Sequence, residues 1–211
     1  MQLQGFLDHL LKSNLPGASS GDRKGVLESD FGKGAISGGM LGLLLGRNRT
    51  TRKLATYGGL AAIGVMAYRA YGDYQRQQQT SAPEPQTVDR LPPPQAEVHS
   101  EAILKALVAA AKADGHIDAR ERETIEGEFR RLAGDADLQR WMHAELEKPL
   151  DPAEVARAGA TPEIASEMYL ASLMVADEQN YMERAYLDEL ARQLGLDETL
   201  KAGLEQQLHA S

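Results

Sequence analysis

The C-terminal half of the chain, residues 99–211, carries apolar residues at the three-to-four-residue spacing of helices and hardly any strand signal. After Thr161 the sequence is apolar on nearly every helical face from Met168 to Ala176, which indicates a central, buried helix. Several residues stand where a side chain caps a helix, two of them directly before a first-turn proline: Ser100, Asp118, Asp135, Asp151, Thr161, Asn180 and Asp197. The pattern predicts a compact all-α domain of about seven helices with short connections.

This predicted domain contains an internal pseudo-repeat. The segments ALVAAAKAD (residues 106–114) and YLASLMVAD (residues 169–177) are both apolar helices that end in Ala-Asp. Each is followed by an acidic turn and by an amphipathic helix. Duplicated helical pairs are a common way to build a small α domain, so the repeat by itself indicates no function.

A glycine-rich region, residues 31–74, precedes this domain. Its two uncharged runs cover residues 34–46 and 54–68, and four positive charges separate them. Glycine costs about 1 kcal/mol per residue in an aqueous helix, but it lets helices approach closely in lipid. We therefore predict a membrane-associated helical hairpin with tyrosines as interfacial anchors. The alternative is a buried hairpin or a low-complexity segment in a soluble protein.

The length of the two runs leaves their depth in the membrane open. A spanning helix needs about 20 apolar residues, and these runs have 13 and 15. The hairpin therefore either spans the bilayer or dips into it. Its small residues also favour a homo-oligomer or a protein partner, through a glycine at every fourth position: Gly34, Gly38, Gly42 and Gly46.

Two further segments flank the hairpin. Residues 1–30 begin with an amphipathic helix, which we expect to be a surface or dimer contact or to lie on a lipid interface, followed by a loop. No secretory signal is expected, because polar residues precede the first positive charge. Residues 75–98 are rich in glutamine and proline, which predicts a disordered linker.

Composition narrows the chemistry. The formal net charge of −8 is unevenly distributed: residues 1–100 hold eleven Lys/Arg against eight Asp/Glu, and residues 101–211 hold twelve against twenty-three. The acidic balance argues against nucleic-acid binding, which needs a basic surface. The chain has no cysteine, which excludes disulfide scaffolds, zinc ribbons, thiol catalysis and iron–sulfur ligation.

The acidic turns of the repeat contain the only candidate site. The segment 114–121 matches the second half of an EF-hand loop, but Ala110 and Lys112 occupy the first two ligand positions. If the repeat folds face to face, its carboxylates form an oxygen cluster suited to Ca²⁺, Mg²⁺ or Mn²⁺. The predicted metal ligands are Asp114, Asp118, Glu121, Asp177 and Glu183. Helix capping and turn formation explain the same acidic residues without a metal.

Three other residues invite a functional interpretation that we do not favour. His116 is a single imidazole in a turn, and we expect it to be solvated. Trp141 and Met142 are expected to pack in the core.

The two turns resemble a known family. The segments AAAKADGHIDARERETI (residues 109–125) and MVADEQNYMERAYLDELARQLGL (residues 174–196) resemble the TerB-like family of tellurite-resistance proteins, and within it the YebE-like inner-membrane proteins. The resemblance implies an all-α, pseudo-symmetric TerB-like domain with a divalent-metal site in its turns. It also implies a location at the bacterial inner membrane and a link to envelope stress. Because tellurite-resistance proteins are usually cytosolic, the resemblance favours the cytoplasmic side of the membrane over the periplasmic side for the helical domain.

Three functions remain open from the sequence. The leading hypothesis is a membrane-tethered, non-enzymatic domain for interaction or sensing that binds membrane lipid and a divalent cation. The second is a structural membrane oligomer with a passive head domain. The third is a metal-dependent hydrolase, against which the sequence offers no nucleophile–base pair and no phosphate-binding loop.

Overall fold

The structure is a computed structural model that describes residues 3–12, 59–79, 83–113, 123, 126–127, 135–176 and 180–210. These residues are helical apart from short connections, and no strand occurs among them, which confirms the all-α fold class. In chain order the helices are α1 (Leu3–Lys12), α2 (Leu60–Gln77), α3 (Pro93–Ala111), α4 (Ala136–Glu147), α5 (Pro152–Ala156), α6 (Pro162–Val175), α7 (Tyr181–Gln193) and α8 (Glu198–Ala210).

Helix α6 lies at the centre of the molecule, as its sequence predicts. Every residue from Ile164 to Val175 is buried, because α2, α3, α7 and α8 all pack around this helix. The most extensive of these contacts is with α3, the other helix of the pseudo-repeat.

Most of the predicted helix starts are confirmed. Asp135, Asp151, Thr161 and Asn180 each accept a hydrogen bond from a backbone N–H in the first turn of the following helix. Ser100 is different, because α3 begins seven residues earlier at Pro93 and the Ser100 hydroxyl donates to the Ala96 carbonyl inside the helix. Of the helix expected after Asp118, the structure describes three helical positions: Glu123, Glu126 and Gly127.

Helix α2 differs from the membrane hairpin that the sequence suggests. It corresponds to most of the second glycine-rich run, and it packs against α6 and α8 in the same core. Its small residues allow this approach: Ala70 faces Gly203 of α8, where an added Cβ would lie 3.9 Å from that of Ala70. Among the residues described, no helix is both long enough and apolar enough to cross a membrane. The first run, residues 34–46, lies outside the described residues.

Residues 83–92, here called the strap, differ from the disordered linker expected for 75–98. The strap is not helical, but Thr87 and Val88 are fully buried. A turn closed by a hydrogen bond from Arg90 N to Thr87 O brings it back toward α3. Two further parts of the expected linker are helical, because α2 extends to Gln77 and α3 begins at Pro93.

Helix α1 is part of the same core. Leu3, Phe6 and Leu7 are buried against α3 and α2. The Glu97 carboxylate of α3 accepts hydrogen bonds from Leu3 N at 2.7 Å and Gln4 N at 3.2 Å, so it caps the first turn of α1.

Candidate functional site

Of the predicted metal ligands, the structure describes only Glu183. Its side chain is half-buried in the first turn of α7, three residues after the Asn180 cap. Asp114, Asp118, Glu121 and Asp177 lie outside the described residues, as does His116. Among the residues described, no group of three or more acidic or histidine side chains is arranged to hold a metal ion.

The arrangement of α3 and α6 nevertheless bears on the two turns. His99 of α3 contacts Glu167 of α6, and further along both helices the Ser172 hydroxyl donates to the Ala106 carbonyl. Because both contacts advance in the same direction, α3 and α6 run parallel. Ala113 and Ala176, the last described residues before the two acidic turns, are therefore at the same end of the helix pair.

A buried carboxylate joins α6, α3 and the strap. Glu167 is fully buried, and its two oxygens accept from Val88 N at 2.6 Å and contact His99 Nδ1 at 2.6 Å. Burial raises the pKa of Glu167, while the bond to His99 and the Val88 N–H act in the opposite direction and the charge of Asp89 adds to the rise. One oxygen of this carboxylate thus contacts the strap and the other contacts α3.

The second functional candidate is a groove at the C-terminal end of α2, here called the tyrosine groove. Its volume is about 390 Å³, within the range of ligand-binding clefts. Tyr71 and Tyr74 form one wall, with ring centroids 6.2 Å apart and ring planes inclined by 20°. The other walls are two connections and the start of α8, contributed by residues 159–162, residues 194–197 and Leu200.

Two glycines, Gly159 and Gly195, lie in the two connections that line the tyrosine groove. Gly195 has a positive φ of 67° and ends α7 in a Schellman motif, with Leu196 N bonded to Ala191 O and Gly195 N to Arg192 O. At Gly159 an added Cβ would lie 2.6 Å from Leu194 Cδ2, so a side chain there would displace the Leu194 side chain. The walls therefore depend on the local backbone at two glycines.

The tyrosine groove offers apolar and aromatic contacts rather than ionic ones. On α2, Asp73 pairs with Arg76, and on α7, Arg192 pairs with Glu189 at 2.6 Å. Asp197 accepts a hydrogen bond from Thr199 N at 2.8 Å as the cap of α8. Of these charged residues only Asp197 lines the groove, and its carboxylate accepts from a backbone N–H.

A second groove of about 330 Å³ lies between α3 and α4, beside Trp141. Met142 is buried in the core, as predicted, whereas Trp141 is only partly buried and lines this groove. The lysines are paired here: Lys105 with Glu154 at 2.8 Å, and Lys148 with Glu145 at 2.6 Å. The Lys105 ammonium lowers the pKa of Glu154, and the hydrogen bond to Glu145 raises that of Lys148.

Glu167 is not predicted as a functional residue from the sequence, and two tyrosines have a different position from the one predicted. A glutamate directly before an apolar stretch was the available signal, since a charge on a buried helix requires partners. The segment rich in glycine and alanine predicts a membrane interface for Tyr71 and Tyr74. In the structure the other face of that helix is covered by protein, and these rings line a groove.

Fold and grooves together define the class: an all-α protein with a central helix and shallow surface clefts. A family model described as "Protein of unknown function (DUF533)" matches residues 30–208, and the chain belongs to this family. The chain is also 36% identical over 106 residues to a Yersinia enterocolitica protein described as "Uncharacterized protein in ampR 5'region". That match covers 50% of this chain and 76% of the relative. No solved structure matches the chain.

Membership of the DUF533 family corrects the assignment to TerB-like proteins and to their YebE-like subgroup. The matching model is that of a distinct family, and it covers both turns on which the resemblance was based. The link to envelope stress is implied by that resemblance alone, and it does not carry over to this chain. The metal site and the membrane location are also predicted from the residues of this chain, and they now depend on those residues alone.

Proposed function

We propose that the protein is a non-enzymatic interaction module that binds an extended, proline-containing peptide in the tyrosine groove. The observation that carries the proposal is the pair of partly buried, nearly parallel tyrosine rings facing two ordered connections. Grooves lined by aromatic rings are the usual surface for proline-rich segments, whose extended conformation loses little entropy on binding. Apart from Asp197 the residues that line the groove are uncharged, which favours a partner of low charge.

A titration with a synthetic proline decamer tests this function. Backbone amide chemical shifts of the ¹⁵N-labelled full chain are followed while the peptide is added. We expect the largest changes at Tyr71, Tyr74 and Leu196, and their loss in the Tyr74→Ala variant.

Tyr181→Ala is the matched control. Tyr181 is 82% exposed at the opposite end of α7 from the groove, about 20 Å from Leu194 at 1.5 Å per residue. This variant should bind the decamer as the unmodified chain does. The proposal fails if millimolar peptide changes no groove resonance, or if both variants respond equally.

Divalent-metal binding is a second candidate, supported by the parallel arrangement of α3 and α6. Both acidic turns follow the same end of the helix pair in the sequence, and the proposal is that their carboxylates share one cation. Calorimetric titration with Ca²⁺, Mg²⁺ and Mn²⁺ should give heat that Asp114→Ala and Asp177→Ala both reduce. Asp137→Ala, an exposed position paired with Arg140 on α4, is the control.

This titration requires the whole chain, because α1 and α2 belong to the same core as α6. If the heat of binding is unchanged in Asp114→Ala and Asp177→Ala, the two acidic turns do not bind the metal. A metal-dependent hydrolase would require this site first, so the same measurement tests that alternative.

The membrane tether is kept as a proposal for the first glycine-rich run alone. Residues 34–46 are uncharged and repeat glycine every fourth position, which suits close helix packing in lipid. Deletion of residues 31–58, which leaves α2 intact, should abolish pelleting with membranes after a carbonate wash. Recovery of the undeleted chain in the soluble fraction would contradict both the tether and the structural membrane oligomer.

A further inference from the structure

The groove between α3 and α4, here called the tryptophan groove, is formed by one face of each helix. On α3, Val98, Glu101 and Lys105 line it at the three- and four-residue spacing that places side chains on one helical face. On α4, Trp141 and Glu145 line it at the same spacing. Its volume of about 330 Å³ is at the lower end of the range of ligand clefts, which suits a side chain of a partner rather than a large ligand.

Trp141 provides the aromatic surface of the tryptophan groove. The indole packs against the hydrophobic core but is only partly buried. Val98, which is 56% exposed, adds apolar surface to the same groove. Tryptophan is the aromatic residue that attracts a cation most strongly, and a planar guanidinium also stacks on its ring. The groove therefore has the kind of surface that stabilises an arginine side chain.

The charged residues of the tryptophan groove leave one carboxylate without a partner. Lys105 Nζ lies 2.8 Å from Glu154 Oε1, and Lys148 Nζ lies 2.6 Å from Glu145 Oε2. Glu101 is exposed, and within the described part of the chain no group forms an ion pair or a hydrogen bond with its carboxylate. Because both lysines are paired, the uncompensated charge of the groove is the single negative charge of Glu101, which favours a cationic partner.

The wider sequence around the tryptophan groove has a negative charge as well. Residues 101–211 hold twelve Lys/Arg against twenty-three Asp/Glu. A negative potential of this kind attracts a basic segment of another protein before the two surfaces touch. The long-range attraction and the unpaired carboxylate in the groove therefore favour the same partner chemistry.

We propose that the tryptophan groove binds an arginine side chain of a partner protein. The guanidinium stacks on the Trp141 indole and pairs with the Glu101 carboxylate, while the methylene groups contact Val98. Arginine fits both polar contacts because its planar guanidinium stacks on rings and donates two parallel hydrogen bonds to a carboxylate. This site is independent of the tyrosine groove, because other elements form it and because it requires a charged partner.

A titration with the peptide N-acetyl-Ala-Arg-Ala-amide tests the proposal. Trp141 is the only tryptophan of the chain, so its indole N–H gives a single resonance in the spectrum of the ¹⁵N-labelled full chain. We expect a saturable shift of this resonance in the millimolar range. The same peptide with citrulline in place of arginine keeps the shape but loses the charge. It should bind about tenfold more weakly, because it loses both the ion pair and the cation–π contact.

Two variants that each remove one negative charge distinguish the tryptophan groove from general attraction. Glu101→Gln should weaken binding of the arginine peptide about threefold to fivefold, because glutamine keeps the size of the side chain but not its charge. Glu198→Gln, on α8 and outside the groove, is the matched control and should bind as the unmodified chain does. Both positions are exposed, so neither substitution should affect folding.

Three results would overturn the proposal. The first is an indole resonance that does not shift when the arginine peptide is added. The second is equal affinity for the arginine and citrulline peptides, which would make the site an apolar groove without charge recognition. The third is an affinity of Glu101→Gln that is no lower than that of Glu198→Gln, which would show that Glu101 has no specific part in binding.

Discussion

The strap lies between two helices that hold it in opposite ways. On one side, α6 binds it through polar groups: Glu167 accepts from Val88 N at 2.6 Å, and Glu163 accepts from Gln86 N at 3.5 Å. On the other side, α2 holds it through close approach, since Gly64 leaves room for Asp89. Helix α6 contributes a buried carboxyl group that has hydrogen-bond partners. Helix α2 contributes a glycine, whose lack of a side chain leaves space for the strap.

The comparison shows that the composition of a helix does not by itself indicate which contacts the helix makes in the core. Helix α6 is strongly apolar, yet its contribution to the strap is a carboxylate. Helix α2 has a composition suited to lipid, yet Gly64 is explained by an intramolecular neighbour, Asp89. The two modes also differ in how substitution should affect them, because lost hydrogen bonds and steric overlap respond differently to pH and to side-chain size.

Removing the Glu167 carboxylate should have the largest effect. Glu167→Ala leaves the Val88 N–H and the His99 ring without their buried partner, which should lower the free energy of unfolding by about 3 kcal/mol. Glu167→Gln keeps an acceptor and a donor and should cost about 1 kcal/mol. Glu163→Ala on the same helix removes only a long, exposed contact and should stay within about 0.5 kcal/mol. Urea unfolding followed by circular dichroism measures all three, and equal losses at both glutamates would contradict the polar mode.

The close-approach mode is tested by adding one methyl group. At Gly64 an added Cβ would lie 2.9 Å from Asp89 Cγ and 3.0 Å from Asp89 N. The overlap should outweigh the helix-propensity gain and give Gly64→Ala a net loss of about 1–2 kcal/mol. Gly72→Ala, in the same helix with no atom within 4 Å of the added Cβ, should instead gain up to about 1 kcal/mol. Thermal and urea unfolding of the two variants measure these changes in stability. A gain in stability in both variants would show that the strap moves away from the added methyl group without cost.

The polar mode should also depend on pH. Burial raises the pKa of Glu167 above its usual 4.5, so its favourable contribution is complete below that pH and is lost as pH rises through the raised value. His99 from α3 and Asp89 from the strap are the ionisable groups that act on it. Relative to Glu167→Gln, the unmodified chain should therefore lose stability with rising pH, by at most about 1.4 kcal/mol per unit. A difference between the two proteins that stays constant from acid to neutral pH would refute this assignment.

The smallest expected effect concerns the outer edge of the strap. The Arg90 guanidinium lies 3.7 Å from the ring centroid of Tyr68 on α2. Arg90→Ala should cost about 0.5–1 kcal/mol. Arg69→Ala, an exposed arginine on the same helix, is the control and should change stability by less than about 0.5 kcal/mol. Indistinguishable urea midpoints for the two variants would show that the ring contact contributes nothing.

The sequence predicts the parts of this fold that depend on local chemistry. Capping residues and first-turn prolines mark the starts of α4 to α7 correctly, and the all-round apolar pattern identifies α6 as central. These signals are local because a cap acts within one helical turn. The end of α7 beside the tyrosine groove is also predicted by a local signal, since Gly195 is recognisable as a helix stop.

The remaining features depend on neighbours that are distant in sequence. The strap is ordered by Glu167, 79 residues beyond Val88, and α1 by Glu97, 94 residues beyond Leu3. The proline and glutamine content of the strap indicates its local preference for an extended conformation. It does not indicate a partner that lies so far away in the sequence. Similarly, a helix rich in glycine suits either lipid or a close protein neighbour, and only the position of Asp89 decides between them at Gly64.

These separations set the order in which a nascent chain completes its core. Translation at roughly 5–20 residues per second means that Glu97 emerges about 5–20 s after Leu3, and Glu167 about 4–16 s after Val88. During that interval α1, α2 and the strap have been synthesised without the glutamates that fasten them. Their apolar surfaces are therefore available to chaperones for seconds, and closure of the core depends on the synthesis of α6.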